Sequence, residues 1–114
     1  MEGCAFCRVA AGTAPAQLLL ADDDVVAFHD VAPRAPVHVL VIPRRHISSL
    51  DAAGTGEKGT LGALLLAAAE VARRTGIAET GYRVVTNTGA GAGQSVFHLH
   101  LHVLGGRHLA WPPG

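Results

Sequence analysis

Residues His98-Leu-His-Leu-His-Val-Leu104 alternate imidazole with aliphatic side chains. Successive side chains of a strand point to opposite faces, so this period of two predicts a strand with His98, His100 and His102 on one face and Leu99, Leu101 and Val103 on the other. The aliphatic face needs a covering layer, which places the strand in a sheet packed against something else. Same-face neighbours lie roughly 6.5–7 Å apart along an ideal strand, close enough to surround one phosphate-sized group and too far for direct hydrogen bonds. Three polar residues in alternation can mark a plain solvent face, and three histidines can form an open metal face. A glycine-rich run immediately upstream favours a site.

The remaining elements follow from pattern and punctuation. Met1 to Gly12 holds Cys4-Ala-Phe-Cys7 and allows one or two helical turns before Gly12 and Pro15. Gln17–Ala21 and Val25–Phe28 are apolar runs joined by three aspartates, which reads as a hairpin with an acidic tip. Val37–Ile42 is rich in β-branched residues and stops at Pro43, as an interior strand does. Within Asp51–Gly76, Leu61, Leu64, Leu65, Ala68, Val71 and Ala72 recur at helical spacing, with Arg73 and Arg74 in the last turn and Gly76 as a left-handed cap. Tyr82–Asn87 predicts a fourth strand and Val96–Leu104 a fifth. The expected fold is α+β: a five-stranded, mostly antiparallel sheet with one long helix and a short N-terminal helix, in a single domain over residues 1–114.

Charge narrows the function classes. Nine Lys+Arg balance nine Asp+Glu, so the chain lacks the positive field that non-specific nucleic-acid or anionic-membrane binding uses. Its longest apolar stretch, Leu61–Ala69, is under half a membrane span, and no signal peptide opens the sequence; a cytoplasmic protein is expected. Seven histidines against five aromatic residues direct attention to imidazole chemistry.

His98–Leu104 matches the signature of the histidine triad (HIT) family, in which three histidines alternate with apolar residues. Ala27-Phe-His-Asp30, Ala35-Pro-Val-His38, Val41-Ile-Pro43, His46-Ile47, Gly93-Gln-Ser95, His102-Val-Leu-Gly-Gly-Arg107 and Trp111-Pro-Pro-Gly114 resemble its Hint branch of nucleotide-binding phosphoramidases. The resemblance implies a hydrolase that cleaves the P–N or acyl-phosphate bond of purine nucleoside 5′-phosphoramidates and aminoacyl-adenylates through a nucleotidyl-histidine. His100 would be the nucleophile, with His102 and His38 in phosphate contact and proton transfer, and Ser95 beside the leaving group. A neutral imidazole suits this work because attack on phosphorus splits a hard hydrolysis into two easier steps. Its other ring nitrogen then needs an acceptor, for which a backbone carbonyl is expected.

By the same resemblance, Asn87, Gly93, Gln94, Ser95 and Val96 line the phosphate and leaving-group side. Gly89, Gly91 and Gly93 could present backbone N–H groups as an anion nest, or make a plain connection. Phe28, His29, Asp30 and Val31 fit a nucleoside slot with a carboxylate for the ribose hydroxyls, and Phe6 and Val9 add to the base pocket. Without the resemblance, Phe28 reads as core, Asp30 as a turn cap and His38 as a satisfied core or edge histidine.

Cys4-x-x-Cys7 is half of a tetrahedral zinc site. Bacterial HIT proteins with such a pair complete it with residues matching His46 and His98, which implies a structural zinc and no cofactor for catalysis. The resemblance also implies a homodimer in which Trp111 influences the partner's leaving group; a tail folded on its own subunit is the alternative. Competing functions are a dinucleoside polyphosphate hydrolase of the same family, a non-catalytic nucleotide-binding regulator and a zinc-binding structural module.

Overall fold

The computed structural model describes residue 1 and residues 3–114. Its elements are α1 (Ala5–Ala11), β1 (Leu18–Ala21), β2 (Val25–His29), β3 (Val37–Pro43), α2 (Lys58–Thr75), β4 (Tyr82–Val85) and β5 (Leu101–Gly105). The strands form one antiparallel sheet in the order β1-β2-β3-β5-β4. This is the α+β architecture expected from the sequence, with β3 at the centre.

The hairpin closes because Asp22 Oδ1 accepts hydrogen bonds from the backbone of Asp24 and Val25, each at 2.8 Å. An aspartate can thereby imitate a backbone turn, which explains the acidic tip. One face of the sheet, carrying Val25, Ala27, Val39, Val41, Leu101 and Val103, packs on α2 through Leu64, Ala68, Val71 and Ala72. Leu64 and Val71 are fully buried, and each contributes about 1.5–3 kcal/mol by leaving water. The opposite face carries Val26, Phe28, Leu40 and Ile42, against which α1 lays Phe6, Val9 and Ala10. Among the described residues, no helix is long and apolar enough to cross a membrane.

The long helix begins at Lys58, after single 3-10 turns at Leu50–Ala52 and Thr55–Glu57, where glycines at 54 and 56 weaken helix initiation. Two strand boundaries differ from the sequence expectation. β4 ends at Val85, and β5 begins at Leu101, so His98 and His100 precede the regular ladder. The ladder stops there because β3 ends at Pro43, which has no N–H to offer. Instead, Leu99 N–H donates to Ile47 C=O at 2.6 Å and the Thr86 hydroxyl donates to His100 C=O at 2.9 Å. Side-chain alternation nevertheless persists, with Leu99, Leu101 and Val103 all buried beneath α2.

Packing around Gly105 is close enough to test. A Cβ there would lie 2.8–3.0 Å from three atoms of Ile77, so Gly105→Ala should cost about 1–3 kcal/mol in urea unfolding through overpacking. Gly62, within α2, meets nothing within 4 Å. Gly62→Ala should stabilise by about 0.4–1 kcal/mol, and equal effects at both positions would contradict this packing.

Candidate active site and cysteine–histidine cluster

His38 on β3 and His102 on β5 sit on the sheet face opposite α2, where strand pairing sets Leu40 across from His102. His38 Nδ1 accepts the backbone N–H of Arg34 at 3.0 Å. An acceptor nitrogen carries no proton, so the neutral ring bears it on Nε2. That nitrogen lies 2.9 Å from His102 Nδ1 and 3.4 Å from Asp30 Oδ2. His38 therefore donates to His102, which leaves the His102 proton on Nε2. Burial lowers the pKa of both rings, with Asp30 acting in opposition; for His102 burial and the neighbouring His100 and His38 bring it to about 4. Both rings are neutral near pH 7.

His100 has the complementary tautomer. Its Nδ1 lies 2.7 Å from the carbonyl oxygen of His98, so Nδ1 donates and Nε2 keeps a bare lone pair. The His100 and His102 rings are 5.1 Å apart, and Phe6 packs its edge on His100 at 5.0 Å between centroids. Both histidines open on a cleft of about 390 Å³. One of its sides is formed by Phe28, His29, Asp30, Val31 and Leu40, another by Phe6, Arg8 and Val9 of α1 and the following Ala14–Ala16, and its rim by Ser95 and Val96. Asp30 is a turn cap as well, since its Oδ1 accepts the Ala32 N–H at 2.9 Å.

The structure thus gathers Phe6, Val9, Phe28, His29, Asp30, Val31, Ser95, Val96, His100 and His102 on one hollow, with His38 directly behind His102. Asn87, Gly93, Gln94 and Trp111 do not line it. Gln94 is buried and bonded to backbone: its Oε1 accepts Gly89 N–H at 2.8 Å, and its Nε2 donates to Ser48 C=O at 2.8 Å and Val96 C=O at 3.1 Å. Gly93 N–H bonds Ala90 C=O at 3.0 Å. With the N–H groups of Gly89 and Gly93 committed inside the loop, those glycines build a turn that carries Ser95, rather than an anion nest. Trp111 is 81% exposed and stands 6.0 Å from the Arg83 guanidinium, which also bonds the tail carbonyls of Leu109 and Ala110. Leu40 escaped the sequence reading, although its position two residues after His38 was a usable signal. Arg8 and Ala14–Ala16 gave none, because their place depends on how α1 folds back.

A second cluster lies behind the first. Cys4, Cys7, His46 and His98 bring their donor atoms within 4.8 Å of one another. His98 Nδ1 is 3.4 Å from both sulfurs, and His46 Nδ1 is 3.3 Å from Cys7 Sγ. His98 Nε2 donates to Pro43 C=O at 2.8 Å, so Nδ1 presents its lone pair to the thiols. A histidine ligand whose other nitrogen is fixed by a carbonyl, together with two sulfurs and a second imidazole, is a donor set suited to a tetrahedral metal ion. Asp30, His38 and His102 also approach one another within 4.8 Å, but the Arg34 N–H pins the proton of His38 on the nitrogen a metal would need. That group is a hydrogen-bond relay.

The sequence profile of the HIT domain family matches residues 11–109. An uncharacterized HIT-like protein of Synechococcus elongatus is 49% identical over 113 residues, 99% of this chain and 98% of that protein. Among solved structures, a HIT family hydrolase from Legionella pneumophila superposes with a TM-score of 0.96 at 42% identity, covering 98% of this chain and 100% of that one. A histidine triad nucleotide-binding protein from Candida albicans does so with a TM-score of 0.83 at 28% identity, covering 96% and 83%. A family profile that spans most of the chain, over a sheet that sets His100 and His102 of the alternating histidines on one cleft, shows that this protein belongs to the HIT family.

Proposed function

We propose that the protein is a hydrolase of purine nucleoside 5′-phosphoramidates and aminoacyl-adenylates. The observation that carries this reading is the bare Nε2 of His100 facing the cleft, with its tautomer set by the His98 carbonyl at 2.7 Å. Nε2 attacks the α-phosphorus, a P–Nε2 bond forms and the P–N bond to the leaving amine breaks as the amine takes a proton. Water then attacks the same phosphorus, the P–Nε2 bond breaks and the nucleoside monophosphate leaves. His102 offers Nε2–H to a non-bridging oxygen while His38, behind it, holds that tautomer; donors aimed in advance at developing charge lower such barriers. Ser95, which lines the same cleft, would give the departing amine its proton and regain one from the attacking water. Phe6, Val9 and Phe28 supply an apolar slot for a base, and Asp30, lining the same cleft, is the carboxylate that would accept from a ribose. The Candida albicans relative is a histidine triad nucleotide-binding protein, in keeping with this reading.

Cys4, Cys7, His46 and His98 would hold a structural zinc ion, closing the site with two sulfurs and two nitrogens and supplying no step of the reaction. The dimer reading rests on the edge strand β4 with exposed Tyr82 and Val84, beside an α2 face exposing Leu65 and Leu66. Between them lies an apolar hollow of about 220 Å³ bordered by Leu61, Leu65, Thr86 and Leu101. A second copy adding its own β4 would cover both features.

His100→Ala should lower hydrolysis of adenosine 5′-phosphoramidate by about 10⁴-fold or more while AMP binding persists. In rapid-quench intact-mass measurements the wild type should gain one nucleoside monophosphate, located on His100; undiminished turnover by the variant would refute the mechanism. Acid stability offers a second check. An unfolded imidazole takes up its proton near 6.5 and the folded His102 only near 4, so the unfolded state binds more protons between those values and acidification across that window destabilises the fold. Urea unfolding from pH 7 to 4 should show this loss, with a shallower slope for His102→Gln; an identical slope would contradict the relay. Light scattering after gel filtration should report a dimer for the wild type and a monomer for Leu65→Glu combined with Val84→Asp, and a monomeric wild type would remove the dimer reading.

A further inference from the structure

Helix α1 is seven residues long and buries none of them fully. A helix of this length is not stable by itself in water, so its position depends on what grips it. Its C-terminal end is fixed by Arg44, whose guanidinium donates to Ala10 C=O at 2.6 Å. Its N-terminal end is fixed by the cysteines, Cys4 as its cap and Cys7 one turn later, both against His98 and the latter also against His46. Between these grips the helix gives the cleft one of its walls. Phe6 stands edge-on to Phe28 at 5.5 Å and to His100 at 5.0 Å between centroids, and Val9 lies one turn along on the same small apolar cluster.

We propose that the cysteine–histidine cluster and the nucleoside slot are energetically linked through α1: zinc at Cys4, Cys7, His46 and His98 sets the wall that Phe6 and Val9 give to the slot, so each ligand strengthens binding of the other. The inference rests on the nucleotide and zinc readings above and adds the coupling between them. It follows from the geometry because the ligands and the wall residues alternate along the same short helix. Tying the cysteines to His98, which is held to β3 through Pro43 C=O, and to His46, three residues past β3, restricts α1 to the position in which Phe6 covers the base. Releasing them leaves the Arg44 grip and a partly buried apolar contact among the restraints on α1. Linkage is reciprocal, so the factor by which zinc tightens nucleotide binding equals the factor by which nucleotide tightens zinc binding.

The test measures AMP affinity by calorimetry on the full chain, stripped of metal by a chelator and then loaded with zinc, with hydrogen exchange followed by mass spectrometry in both states. Loading should tighten AMP binding by about tenfold and slow exchange in residues 5–11 while α2 and β3 stay unchanged. Saturating AMP should tighten zinc binding by the same factor in a competitive chelator titration. Phe6→Ala should keep zinc affinity, weaken AMP and abolish the coupling; Cys4→Ser with Cys7→Ser should resemble the stripped protein, with exchange in α2 reporting whether the sheet remains folded. Zinc binding with AMP affinity unchanged overturns the linkage alone. Failure of zinc to bind removes the metal reading and the inference with it, and failure of AMP to bind in every state removes the nucleotide reading and the inference with it.

Discussion

His98 is the residue on which both clusters depend. Its carbonyl accepts from His100 Nδ1 and so decides which nitrogen of His100 is bare, its Nε2 donates to Pro43 C=O, and its Nδ1 faces the two sulfurs. It is wholly buried, so each polar atom needs a partner where water cannot provide one. Those partners come from β3, α1 and the next histidine in the chain. Shifting the ring would therefore disturb the N-terminal helix and the tautomer of His100 together.

Three rings on one face do not behave as three copies of one group. His38 receives a backbone N–H and passes its own proton toward His102; His100 gives its proton to a carbonyl and keeps a lone pair. His100 and His102 consequently both turn Nε2 toward the cleft, bare on the first and protonated on the second. Burial depresses the basicity of His38 and His102, which preserves the arrangement near neutral pH, because a protonated His38 would present a proton to the Arg34 N–H. The relay thus depends on the burial of the His38 and His102 rings.

Much of this was legible in advance, and the particular failures are informative. Alternation gave the correct faces at Leu99, Leu101 and Val103 even though the chain there leaves the regular ladder, because burial under α2 enforces side-chain direction without requiring every ladder hydrogen bond. The hairpin at Asp22–Asp24 and the cap at Gly76 were readable from local chemistry, and Gly76 does adopt φ +83°. Gln94 was misread. A glutamine beside a glycine loop offers the same donors and acceptor to a ligand as to backbone, and only the approach of Ser48, distant in sequence, shows that the backbone takes them. The glycine loop illustrates the same point, since the N–H groups of Gly89 and Gly93 look free in sequence and are taken up within a tight turn.

The order of apolar and polar residues by itself determined which strands and helices form, which faces carry histidine and which are buried, because those properties depend on neighbours within a few residues. Tertiary structure decided the protonation pattern, the meeting of Cys4 and Cys7 with His46 and His98, and the wall that α1 gives to the cleft. Each requires hydrogen bonds or contacts between segments tens of residues apart, and a tautomer is set by whichever distant carbonyl or N–H arrives within about 3 Å. No local pattern encodes that arrival.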